Sequence, residues 1–166
     1  WGGPDYKDSN GYTWLPDREK KSPNTWGSLS WTKQFPGMPA FYASQRQTYD
    51  PIAGTADWPL FQTFRYGLQQ LRYEFPVPDG DYRVELYFTE PWWGTGGGLD
   101  CKGWRVFDVA VNNKTVIKDL DLWKESGHDR AVKKVVNVHV TGGQLQISFP
   151  RITAGQAIIS AIAIAT

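Results

Sequence analysis

From Tyr82 to Thr89 the chain alternates: Tyr82, Val84, Leu86 and Phe88 fall on one side, Arg83, Glu85, Tyr87 and Thr89 on the other. A period of two residues is that of a strand with one buried face. The same reading predicts strands over residues 61–66, 70–77, 105–111, 115–120, 132–140, 145–149 and 158–164. In the second of these, Leu71, Tyr73, Phe75 and Val77 share a face, and Pro78-Asp79-Gly80 turns the chain into the strand at Tyr82. Asn112-Asn113 between two alternating runs predicts a hairpin, because Asn tolerates the positive φ that such turns demand. Only residues 121–127 read as a short helical turn. Many short strands joined by Gly, Pro and Asn turns predict an all-β fold: a single antiparallel β-sandwich of jelly-roll type, one domain over residues 1–166. No internal repeat supports a propeller.

The first 57 residues lack this periodicity and are punctuated by turn formers, as at Gly2-Gly3-Pro4, Ser9-Asn10-Gly11, Ser22-Pro23-Asn24 and Pro36-Gly37. They predict long ordered loops with short strands. Trp14, Trp26, Trp31, Phe41 and Tyr42 lie among them, which speaks against disorder. Loops of this length in a compact domain usually carry function.

Composition sharpens that expectation. Aromatic residues make up 15% of the chain, with nine Trp, so the rings fill an unusual core or form a binding surface. The strand at Tyr82 runs into Glu90-Pro91-Trp92-Trp93 and then a glycine-rich stretch with almost no side chains to cover two adjacent indoles. Trp92 and Trp93 are therefore predicted at the rim of a sheet as a recognition platform. Net charge is +1 with Lys and Arg scattered, which gives no electrostatic footprint for nucleic acid or an anionic membrane and favours a neutral partner. Cys101 is the single cysteine, so no internal disulfide and no multi-cysteine metal cluster forms. There is no apolar run of about 18 residues and no leader, and the start at Trp1-Gly2-Gly3 looks like that of an excised module.

No catalytic or nucleotide-binding motif is present. His128 and His139 are isolated and read as structural or surface residues. Glu90 is the acid placed beside the rings, but no partner can be named to form the carboxylate pair that glycoside hydrolysis needs. Asp108, Asp119 and Asp121 read as acceptors for loop backbone. Asp8-Ser9-Asn10-Gly11 matches only half of a calcium loop and reads as an Asx-type turn. No metal or cofactor is expected. The aromatic set remains: a pyranose needs a flat apolar ring to stack on and neutral hydrogen-bonding groups around it, and Trp26, Tyr66, Trp92 and Trp93 could supply the rings.

FQTFRY, YRVELYFTEPWW, WRVFDVAVNNKTVIKDLDLWKESGH and GQAIISAIAI together resemble the malectin family, single-domain β-sandwich lectins also grouped as family 57 of the carbohydrate-binding modules. The resemblance spans nearly the whole chain. It implies that aromatic residues on loops at one end of the sandwich hold the sugar: Trp26 before Gly27, Tyr66 ending the FQTFRY segment, and the pair Trp92-Trp93 after Phe88-Thr89-Glu90. The family's acid near the C-terminal strand is missing from Thr153-Ala154-Gly155-Gln156, which leaves Gln156 as the substitute hydroxyl partner. With Trp-Trp in place of the Tyr-Phe pair of the animal lectin and an insertion over 94–102, its diglucose preference does not carry over. DSNGYTWLPDR and NTWGS look like bacterial modules attached to family 2 glycoside hydrolases. The resemblance thus implies a non-catalytic carbohydrate-binding module, bacterial, extracellular or periplasmic, monomeric when isolated. Its partners would be an oligo- or polysaccharide and the catalytic domain of a parent glycoside hydrolase. The other reading is a structural sandwich that packs against that enzyme and has lost sugar binding.

Overall fold

A computed structural model describes residues 1–29, 45–68 and 71–166. Trp31, Pro36-Gly37, Phe41, Tyr42 and Gln70 lie outside the described residues. The elements, in order, are β1 (Tyr6–Lys7), β2 (Thr13–Trp14), β3 (Gly27–Leu29), β4 (Gln45–Gln47), α1 (Pro59–Gln62), β5 (Thr63–Gly67), β6 (Arg72–Pro76) and β7 (Gly80–Phe88). There follow β8 (Val106–Val111), β9 (Lys114–Leu120), α2 (Leu122–Ser126), β10 (Val132–Val140), β11 (Gln144–Ser148), β12 (Ile152–Ala154), β13 (Ala157–Ile159) and β14 (Ala161–Ala165).

One layer orders β10-β7-β14 and the other β12-β8-β11-β6-β3, with β9 against β8; all these strand pairs are antiparallel. Between them Val84, Leu86 and Phe88 meet Phe107, Val109, Leu145 and Ile147, each fully buried, so the core is the contact of two alternating faces. Central β8 is buried on both faces apart from Val106, which is why it carries a near-continuous apolar run. Asn112 and Asn113 take φ of 47° and 64°, the double left-handed geometry of a tight hairpin turn between β8 and β9.

Two strands differ from the sequence reading. The run predicted over 61–66 is divided, with Phe61 and Gln62 in α1, where Pro59 opens the first turn, and only Thr63 onward in β5. The run over 158–164 breaks at Ser160: β13 pairs with β5 and β14 with β7. Both sheets are served by one segment because Ser160 donates its N–H to the Tyr87 carbonyl at the junction, at 2.9 Å. The first loops hold short strands, as expected. The β1–β2 hairpin docks on the outer face of β7, with Trp14 edge-on to Tyr87 at 5.1 Å between ring centres, above a second small core of Ile52, Leu60 and Phe61.

Candidate glycan-binding site

Past Phe88 the chain leaves the sheet at Thr89, Glu90 and Pro91, all buried. Glu90 has no exposed surface. Its Oε1 accepts the N–H groups of Trp92 and Trp93 at 3.1 and 3.0 Å, and its carboxylate is paired with the Arg105 guanidinium. Arg105 in turn donates to the Gln156 carbonyl at 2.6 Å. One buried ion pair therefore fixes the Trp-Trp turn, the approach to β8 and the turn before β13. A carboxylate so occupied cannot serve as a general acid.

The two indoles differ in exposure. Trp92 is 65% exposed, whereas Trp93 is half-buried with its ring perpendicular to that of Trp104, 5.2 Å between centres. Trp104, itself 43% exposed, joins the cluster. Sequence reading missed it because it sits one residue before Arg105, in a segment whose signal was structural. Gly94 follows at φ 90°, and a Cβ there would lie 2.6 Å from the Trp123 indole nitrogen. No side chain fits at that turn.

Tyr66, in β5, pairs with Ile158, two residues beyond Gln156, so both stand at the end of the sandwich to which β7 delivers Trp92. The Arg46 guanidinium lies 5.6 Å from the Tyr66 ring centre. Trp26 is elsewhere. Its ring stacks on Phe75 at 5.8 Å, beside Tyr82 at the start of β7, and the Arg18 guanidinium sits 4.0 Å from its centre. The stretch from Tyr82 to Phe88 separates Trp26 from Trp92 by about 20 Å. Gly27 explains the sequence signal there: a Cβ would strike the backbone of Glu19 and Lys20, which run alongside. Trp26 and β14 line a trough of about 740 Å³, which Trp92, Trp93, Tyr66 and Gln156 do not line.

Beneath Trp93 lies His128, whose Nδ1 is 3.1 Å from the Trp93 carbonyl and whose Nε2 is 3.0 Å from Asp129 Oδ2. Burial raises the Asp129 carboxyl above its ordinary range; Asp50 and Glu90 add to this and His128 opposes it. His139 pairs with Asp81 at 2.7 Å on the surface. Of the three other acids, Asp121 accepts the N–H of Gly103 in the loop and that of Lys124 in the first turn of α2, whereas Asp108 accepts that of Asp119 within β9, at 2.7 Å. Asp119 instead faces Arg151 at 3.6 Å. Asp8 accepts the N–H groups of Asn10 and Tyr12 and the Trp14 indole N–H, all at 2.9 Å, which is a filled Asx turn.

Comparison with known proteins agrees with this architecture. Malectin-B of Xenopus laevis is 32% identical over 92 residues, 55% of this chain and 31% of that protein; human malectin is 33% identical over a similar stretch, 30% of its length. The chain thus spans under a third of the curated malectins it matches. Among solved structures, a β-glucuronidase of Bacteroides uniformis superposes with a TM-score of 0.75 at 27% identity, covering 95% of this chain and 16% of that enzyme. The plant receptor-like kinase FER, at 21% identity and a TM-score of 0.63 over all of this chain and 40% of its own, shares the fold. The family model described as the malectin domain matches residues 1–165, so the chain belongs to the malectin family of carbohydrate-binding domains.

Proposed function

We propose that this domain is a non-catalytic module that binds a neutral glycan on Trp92, Trp93 and Tyr66, with Trp104 extending the surface and Gln156 as a hydroxyl partner. The observation that carries this reading is the exposure of Trp92 on a turn whose backbone is clamped from below. Exposing an indole sacrifices burial, while the buried Glu90–Arg105 pair holds it in one orientation. Trp26 is left out of the platform because it lies at the opposite end with its ring already packed. Affinity at a site of this kind is modest, on the order of micromolar to millimolar, or about −8 to −4 kcal/mol. Such weak binding suffices when the module is tethered to a catalytic domain that shares the substrate. The likeness to one domain of a bacterial glycosidase supports the reading of an exported bacterial module attached to a polysaccharide-degrading enzyme. Among the described residues, no helix is long and apolar enough to cross a membrane.

A second reading rests on the same end of the molecule. Trp92, Trp104 and Leu99, 60% exposed, put apolar surface there that a neighbouring catalytic domain could cover. Affinity electrophoresis against a panel of neutral polysaccharides separates the two, with Trp92→Ala/Trp93→Ala alongside. Retardation by one polysaccharide class, lost in a variant that keeps its melting temperature, supports the lectin. Equal mobility of the folded protein and its variant on every glycan rejects it in favour of the interdomain contact.

A further inference from the structure

Asp50, His128 and Asp129 each offer one ligand atom, and these atoms lie within 4.8 Å of one another. The hydrogen bonds of His128 restrict what can occupy the space between them. The Trp93 carbonyl can only accept, so Nδ1 carries a proton, and in the neutral ring the lone pair is then on Nε2. Nε2 faces Asp129 Oδ2 at 3.0 Å, close enough for one ion to bridge both atoms. A proton would satisfy this one contact. It would leave Asp129 Oδ1, a buried carboxylate oxygen, without a hydrogen-bond partner. A divalent ion balances both carboxylates and uses the neutral imidazole, whose other nitrogen is fixed by a backbone carbonyl as in many metal-bound histidines.

We propose that Asp50, His128 Nε2 and Asp129 bind a divalent transition-metal ion of the Zn²⁺ class. One imidazole and two carboxylates suit borderline ions rather than Ca²⁺, which takes six or more oxygen ligands. Exposed Asp50 leaves a path for entry and room for water as a further ligand. The site sits directly under the platform. His128 hydrogen-bonds Trp93, and the Asp129 N–H donates to the Glu90 carbonyl at 3.0 Å, so an ion there fixes both the ring-bearing turn and its anchor. This second consequence rests on the glycan-binding reading; metal binding itself does not.

The test is calorimetric titration of Zn²⁺ into the chelator-treated, untagged protein, with melting temperature as the second readout. The exposed His139–Asp81 pair is removed in a His139→Ala background, so that one equivalent reports one site. We expect one Zn²⁺ per chain, a rise in melting temperature, and at least tenfold weaker binding in Asp50→Asn and His128→Gln. Asp50→Asn is the informative variant, because its side chain makes no buried contact whose loss would unfold the protein. Failure of Zn²⁺ to bind, or equal affinity in the background protein and Asp50→Asn, overturns the proposal. If the metal site stands, glycan affinity with and without Zn²⁺ tests the link to Trp93. A metal site without glycan binding would reject only the lectin reading.

Discussion

Arg105 and Glu90 meet where water is excluded, and each is the partner that makes the other's burial tolerable. Removing the cation while the carboxylate stays leaves a buried charge whose remaining donors are the N–H groups of Trp92 and Trp93. Arg105→Met is therefore expected to cost roughly 3–5 kcal/mol, read as a lower midpoint in urea unfolding at unchanged slope. A loss below about 1 kcal/mol would mean that Glu90 takes up a proton or reaches water in the variant. Asp8 illustrates the opposite case. It stands in a run that spells half of a calcium loop, yet its carboxylate is filled by three N–H donors of its own hairpin.

Among the elements, β7 was legible residue by residue, and β10 in its extent, though its Lys134 stands on the inner face and Val135 on the outer one. Their pairing from Val132 opposite Phe88 to Val140 opposite Gly80 puts Val132, Val136, Val138 and Val140 on the same side as Tyr82, Val84, Leu86 and Phe88. The break at Ser160 was not legible, because a strand that changes sheets without a turn residue leaves no mark on the alternation. The turn from Trp92 to Gly98 depends on glycine at one position above all. Gly94→Ala places a Cβ against Trp123 in a left-handed backbone, with His128 only 3.2 Å away. We expect a loss of stability above about 1 kcal/mol and weaker glycan binding together, measured by thermal unfolding and affinity electrophoresis. Intact binding at reduced stability would detach the turn from recognition.

For the whole molecule, acid sensitivity runs through Glu85 on the outer face of β7. Burial alone would raise its pKa, but hydrogen bonds from Lys133, Tyr87 and Arg83 outweigh it and bring the value down to about 2 from 4.5. A carboxylate with a folded pKa below its unfolded one stabilises the fold above the unfolded value. That contribution is lost as pH falls from about 4.5 toward 2. The melting temperature should drop across this window, and Glu85→Gln should flatten the drop while lowering stability at neutral pH. Equal slopes for the two proteins between pH 4.5 and 2 would show that other carboxylates govern acid unfolding. Of these donors Lys133 stands on β10 and Arg83 and Tyr87 on β7, so Glu85 ties two neighbouring strands on the outer face, where Tyr87 also meets Trp14 of β2 edge-on.

The sequence by itself determined the class of fold, the principal strands and the display of Trp92, because these follow from local alternation and from a proline and glycines that leave at least one of two adjacent indoles without cover. The chain also carried the family resemblance. Tertiary structure decided which rings share an end of the sandwich: Trp26 precedes a glycine, as the resemblance required, but that glycine serves close contact with Glu19 and Lys20, and the ring packs far from Trp92. It also decided that Glu90 anchors the turn, that Trp104 stands against Trp93, and that Asp50 meets His128 and Asp129. Contacts between residues dozens of positions apart depend on how strands pair and cross, and local periodicity holds no record of that pairing.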